Sequence, residues 1–125
     1  MTAQFMARSV YTNADFALRT PRRIEFDAFA RVTRALRLAT NGTDQPFANL
    51  AQALDDNRHL WMVLACDVAK PANQLDSQLK ARIFYLAEFT FHHTQRVLAR
   101  EGDVAVLIDI NTAMMRGLSG TEELP

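Results

Sequence analysis

Apolar residues recur every three or four positions over four long stretches of this 125-residue chain, a spacing that places them on one side of a helix. Residues that form turns are scarce, because the chain contains only four glycines and four prolines. Long elements with few turns favour helices over a sandwich of short strands. A chain of this length suits one domain with a single modest core. We therefore predict an all-α protein, a single compact helical bundle of four to six helices over residues 1–125.

Capping and turn residues predict where the helices begin and end. The first helix is expected after Thr20–Pro21 and ends at Asn41–Gly42. The second opens at Pro46, as one bent helix or two, and ends before Lys70–Pro71. Asp76 should cap the third helix and Asp103 the last, which Gly117 stops. Residues 1–19 are expected to be loosely ordered and residues 119–125 to form a frayed tail.

The third predicted helix has apolar residues in almost every direction around its axis between Ala81 and Phe91. A helix that is apolar all round is usually surrounded by other helices. We therefore expect the third helix to be the central one.

The stretch HLWMVLACD, residues 59–67, holds the only cysteine and the only tryptophan, and it raises the question of a thiol site. Cys66 lies near the carboxyl end of its helix, where the helix dipole disfavours an anion, and Asp67 follows it directly. His59 is seven residues away, about 10 Å along a helix, and cannot bond to it. We interpret Cys66 as a buried, unreactive cysteine.

Metal and phosphate sites are not indicated either. His92 and His93 point about 100° apart on a helix, and Glu88 with His92 supplies only two ligands where a stable site needs more. We interpret His93 as a histidine at the edge of the core that donates to a carbonyl. Because no glycine-rich loop opens a helix, a nucleotide site is not predicted. We expect no cofactor, no metal site and no enzymatic activity.

The net charge is zero, but the charges are unevenly distributed along the chain. Residues 1–42 contain seven arginines and three acidic residues, whereas the remainder contains seven basic and eleven acidic residues. An arginine face of this kind could meet an acidic partner such as RNA. The simpler reading is a solvated face of the first helix.

Several features indicate a protein of the cytoplasm. A single cysteine fits a reducing compartment. No apolar run approaches the roughly 20 residues of a membrane span, and the N-terminus lacks the pattern of an export signal. Whether translation starts at Met1 or Met6, and whether the protein is a monomer or a homodimer, both remain open.

Four segments carry a resemblance to a known family, and together they cover most of the chain. They are TPRRIEFDAFARVTRALRLA (20–39), DNRHLWMVLACDVAKPANQL (56–75), LKARIFYLAEFTFHHT (79–94) and DVAVLIDINTAMMRGL (103–118). The most specific positions are Asn57, Leu60, Trp61, Asp67, Pro71, Asn73 and Leu75, followed by Ile110, Asn111, Gly117 and Leu118. This pattern resembles FlaF, the flagellar biosynthesis regulator of alphaproteobacteria. Asp76 departs from it, because the family often has proline there.

The resemblance implies a cytoplasmic, non-enzymatic factor that promotes flagellin production after transcription. It implies that the protein partner is flagellin, which the protein would bind as a secretion chaperone. It also implies a functional interplay with FlbT, which restrains flagellin synthesis. The alternative is an RNA-binding translational regulator that acts on flagellin mRNA through the N-terminal arginine face.

Six residues are predicted to contact a partner: Trp61, Asn73, Asn111, Arg22, Arg31 and Arg34. Trp61 suits both a core anchor and an interface. Asn73 is expected to brace its loop as an Asx-turn. Asn111 lies within a helix, where asparagine is a poor helix former, so we expect it to bond to a loop carbonyl or to face a partner.

Overall fold

The computed structural model describes residue 3, residues 22–42 and residues 45–119, with side chains for residue 3, residues 26–42 and residues 45–116. Four helices account for nearly all of this part of the chain. They are α1 (Arg22–Thr40), α2 (Phe47–Ala69), α3 (Ser77–Leu98) and α4 (Ala105–Ser119). No strand occurs among the residues that the structure describes. The predicted all-α class and the helix count of four to six are confirmed.

Three of the predicted turn and cap residues, Gly42, Asp76 and Asp103, lie at the ends of helices and act there as expected. Gly42 follows α1 with a φ of 97°, a left-handed conformation that glycine adopts at low cost. Asp76 Oδ1 accepts a hydrogen bond from the Leu79 amide at 2.9 Å, and Asp103 Oδ1 accepts one from the Ala105 amide at 2.9 Å. Both predicted aspartate caps are therefore confirmed. α4 continues through Gly117 to Ser119, so the prediction that Gly117 stops it is wrong, as is a tail that begins at residue 119. Thr20, residues 120–125 and all of residues 1–19 except residue 3 lie outside the described residues.

Short connections place the helices side by side. α1 packs against both α2 and α4, and α2 packs in addition against α3. Arg100, just after α3, stacks over the Phe47 ring at the start of α2 at 5.4 Å, which shows that α2 and α3 run in opposite directions. α2 is one continuous helix, so the one-helix alternative is the correct one.

The core divides into two clusters of buried apolar side chains. The larger one draws on all four helices and is built around Phe29, Trp61, Ile83 and Ile110. The smaller one surrounds Leu36, Leu54 and Leu107. Burial of such side chains against one another supplies the main driving force for assembling the bundle.

The prediction that α3 is the central helix is wrong for the described part of the chain. Its buried residues keep to one face: Leu79, Ile83, Leu86, Ala87, Thr90, Thr94 and Val97. Phe84 and Tyr85 point outward and stay exposed. α1 and α2 each pack against two described helices, and they take the central place. An apolar residue on every side of a helix is thus not evidence that every side is covered.

The α3–α4 corner is fixed by a histidine and a glycine. His93 Nε2 donates to the Asp103 carbonyl at 2.7 Å, as expected for a histidine at the edge of the core. The same ring stacks on Phe89, with 5.7 Å between the ring centroids. A Cβ at Gly102 would approach Arg96 Cβ to 3.0 Å and His93 Cε1 to 3.2 Å, so the corner closes because this residue has no side chain.

The cap of α3 gives a test of this local structure. We expect Asp76→Ala to lower the free energy of unfolding by about 1 kcal/mol, because the Leu79 amide loses its acceptor. Urea denaturation followed by circular dichroism measures the change. Gln78→Ala, at an exposed position of the same first turn, is the control and should change stability much less. Equal effects of the two substitutions would show that the cap contributes nothing.

Candidate functional site

Trp61 and Asn111 belong to a buried polar network that joins α2 to α4. Trp61 Nε1 donates to Asn111 Oδ1 at 3.1 Å, and Asn111 Nδ2 donates to Asn57 Oδ1 at 2.7 Å. All three side chains are 0% exposed. The Trp61 ring also meets Phe29 of α1 edge to face, with centroids 5.6 Å apart. The network therefore ties three helices together inside the core.

This placement corrects two of the predicted partner contacts. Trp61 is a core anchor and not an interface residue, and Asn111 faces neither a loop carbonyl nor a partner. The physical reason is that each side chain satisfies the polar atoms of the other, which allows both to be buried. Asn57 is the member of the network that was not among the predicted site residues. Its position four residues before Trp61 is the signal that it shares the buried face.

Asn73 also has a structural role. Its Oδ1 accepts a hydrogen bond from the Leu75 amide at 3.0 Å, the Asx-turn that was predicted. Its carbonyl accepts a further bond from Lys80 Nζ at 2.9 Å, which fastens the α2–α3 loop to α3. Asn73 thus shapes the corner between these two helices.

The predicted arginines lie on α1. Arg31 and Arg34 are exposed, and no hydrogen bond or ion pair holds either of them to another described residue. Arg22 is the first residue of α1, and its side chain lies outside the described residues. Phe26, an aromatic residue of the same helix, is half-buried and packs against the larger core cluster.

Cys66 is exposed, so its interpretation as a buried residue is wrong. The core side of α2 is set by Trp61, Leu64 and Val68, and Cys66 lies two residues from Leu64, on the other side of the helix. No base or cation contacts its sulfur within the described residues. In those same ranges, no three His, Cys, Asp or Glu side chains come close enough to hold a metal ion.

The surface feature that stands out is a groove between α1 and α2, made of three adjoining depressions. The central one has a volume of about 590 Å³ and the flanking ones about 290 and 460 Å³. Ala35 and Asp56 line both the first and the central depression, and Leu60 and Val63 line both the central and the last. The α1/α2 groove, as we name these three depressions, follows α2 from Asn49 to Lys70, a length of about 30 Å at the helical rise.

The groove is apolar towards its two ends. Leu38 lines one end and is 56% exposed, whereas Val63 and Met62 line the other and are 53% and 39% exposed. Large apolar side chains that share one exposed surface commonly mark a site of protein interaction. These three residues were not predicted to contact a partner, because the apolar periodicity of the sequence points to the buried face of each helix. The signal was present, since all three are large apolar residues that fall off those stripes.

Comparison with known proteins identifies the family. The family model described as flagellar protein FlaF matches residues 7–118, which is most of the chain. This protein belongs to the FlaF family. Neither a characterised protein nor a solved structure gave a significant match. No helix in the described part of the chain is both long enough and apolar enough to cross a membrane.

The buried network predicts a large effect of a single amide. We expect Asn111→Ala to lower the free energy of unfolding by about 3 kcal/mol, because Trp61 Nε1 and Asn57 would be left buried without a partner. Chemical denaturation of the purified protein measures this change. Asn49→Ala, which removes an exposed amide from α2, is the control and should have a small effect. Similar stability of both variants would contradict a stabilising role of the network.

Proposed function

We propose that this FlaF family member is a non-enzymatic, protein-binding factor of flagellum biogenesis that holds a helical segment of flagellin in the α1/α2 groove. Acting in this way as a chaperone before secretion, it would promote flagellin production after transcription. The observation that carries the proposal is the groove itself, a long channel with exposed apolar residues in a protein of a flagellar family.

The shape of the groove suits a helix as the bound element. Two roughly parallel helical walls leave a channel into which an amphipathic helix can place its apolar face. A length of about 30 Å corresponds to roughly 20 helical residues. The exposed side chains of Leu38, Val63 and Met62 would then be covered, which provides a hydrophobic contribution to affinity.

RNA binding is the second candidate, and the observation that favours it is the pair of exposed arginines, Arg31 and Arg34, neither of which pairs with a described residue. Single-stranded RNA is usually held by stacking of its bases on exposed aromatic rings as well as by cations. Phe29 and Phe26, the rings nearest to these arginines in the sequence, both belong to the core: Phe29 is fully buried and Phe26 packs against the same cluster. The flagellin proposal therefore has the stronger support.

An apolar-to-charged substitution in the groove tests the proposal. We expect Val63→Glu to weaken flagellin binding by about tenfold or more, because the carboxylate would be buried against the bound helix. Binding of purified flagellin to the immobilised protein, measured by biolayer interferometry, gives the affinity. Tyr85→Glu is the matched control, because Tyr85 is 47% exposed but lies on the outer face of α3. An equal loss for both variants, or none for Val63→Glu, would contradict the use of this groove.

Chemical labelling of Cys66 provides an independent test of whether flagellin binds at this groove. Its thiol is exposed and lines the groove, so a maleimide reagent should label it readily in the free protein. We expect saturating flagellin to slow this labelling, because a helix seated in the groove covers the sulfur. Mass spectrometry of timed samples measures the rate. Undiminished labelling of a complex that does form would place flagellin elsewhere on the protein.

The response to salt separates the two candidates. Because RNA binding releases counterions, its affinity should fall steeply with rising salt, and Arg31→Gln combined with Arg34→Gln should weaken it further. Flagellin binding through an apolar groove should persist under the same conditions. A flagellin transcript that co-purifies with the protein at low salt, without flagellin itself, would favour the RNA alternative.

A further inference from the structure

Charged residues lie in the middle of the α1/α2 groove, between depressions whose lining is largely apolar. At the far end of the last depression, Asp67 and Lys70 pair with each other at 3.8 Å. Arg31 from α1 and Asp55, Asp56 and His59 from α2 line the central depression. On one side of this band the groove is lined by Leu38, Ala39 and Ala53, and on the other by Met62, Val63 and Cys66. A helix lying along the groove must therefore pass over charges between two apolar contacts.

Of the three carboxylate and guanidinium groups in this depression, Asp55 alone has an ionic partner among the described residues. Asp55 Oδ1 lies 3.1 Å from Arg58 Nη2 and forms an ion pair with it. Asp56 Oδ1 accepts a hydrogen bond from the neutral Gln52 side chain at 2.9 Å, so its charge is not compensated by a cation. Arg31 forms no ion pair with a described residue, although it lines the same depression as Asp56. Within the described ranges, the α1 wall thus offers a cation and the α2 wall an anion that no ion pair neutralises.

We infer that the groove takes an amphipathic helix with a bipolar arrangement of charges, acidic on the flank that faces Arg31 and basic on the flank that faces Asp56. The inference rests on the proposed function, since it specifies what the proposed occupant of the groove looks like. The apolar ends of the groove supply contact area, and the two opposite charges decide which helices are accepted. In coiled coils, charges on both flanks of an apolar seam select partners and their direction in the same manner.

The two walls also fix the direction of the bound helix. Turning a helix end to end while keeping its apolar stripe on the groove exchanges its left and right flanks. A helix with one acidic and one basic flank therefore matches Arg31 and Asp56 in a single direction only. A helix whose flanks carry the same charge meets a like charge on one wall in either direction, which disfavours binding.

Three synthetic peptides of about 20 residues, the length of the groove, provide the test. They share one apolar stripe and differ only in their flanks: glutamate on one and lysine on the other, lysine on both, or glutamate on both. We expect the bipolar peptide to bind the full chain roughly threefold to fivefold more tightly than either of the others, the size typical of one exposed ion pair. Fluorescence anisotropy at low salt measures the affinities. The preference should vanish at about 0.5 M salt, where such charges are screened.

Single substitutions on the two walls should act in opposite ways. With Arg31→Gln, the peptide with lysine on both flanks should bind as tightly as the bipolar one, because the repelling cation is gone. With Asp56→Asn, the peptide with glutamate on both flanks should do so instead. The charge-matched controls lie on α3 and outside the groove: Gln95→Glu for the first and Glu88→Gln for the second. Both controls should keep the preference for the bipolar peptide.

The experiments separate a failure of this inference from a failure of the proposed function. Equal binding of the three peptides, tightest binding of a peptide with one kind of charge, or no binding of any peptide contradicts the bipolar groove. If Val63→Glu nevertheless abolishes flagellin binding, the proposed function stands without it. If the bipolar peptide is preferred and flagellin does not bind, the groove accepts such helices, and flagellin is not the partner.

Discussion

The hydrogen bond from Trp61 to Asn111 is the interaction on which the rest of the structure depends. It connects residues 50 positions apart and closes the bundle by tying α4 to α2. Because Trp61 also meets the Phe29 ring, the same side chain sets the position of α1. The buried indole provides a large apolar contact, and the hydrogen bond of its N–H forms in only one relative position of the two helices.

Burying polar side chains in the core also has an energetic cost. Asn57 Nδ2 and the hydroxyls of Thr33 and Thr90 are buried without a hydrogen-bond partner among the described residues. Unpaired polar atoms in a core reduce stability, whereas directional bonds discriminate against alternative packings. In a bundle whose helices have similar apolar stripes, this discrimination fixes which helix faces which. The buried polar network thus contributes to the uniqueness of the fold as well as to its stability.

Much of the fold could be predicted from the sequence, because helix ends are encoded locally. Asp76, Asp103 and Gly42 act within three residues of their own positions, and all three behave as predicted. Burial was harder to predict, since it depends on which helices are neighbours. Cys66 was predicted to be buried and is exposed, and Asn57, a polar residue that was not predicted to lie in the core, is fully buried. The exposed apolar residues of the groove could be found in the sequence as residues off the buried stripes, but their assembly into one groove could not, because its walls come from two helices whose relative position the sequence does not state.

The short connection between the two walls of the groove has a consequence for how the protein is made. α1 and α2 are joined by residues 41–46 alone, so the entropic cost of bringing them together is small and the hairpin can form early. The partner that covers the buried face of α1, however, is α4, which is the last described helix to leave the ribosome. Until residues 105–119 have been synthesised, the hairpin has apolar residues on its inner face as well as in its groove. Synthesis of α4 therefore covers the inner face of the hairpin and leaves the groove as its exposed apolar surface.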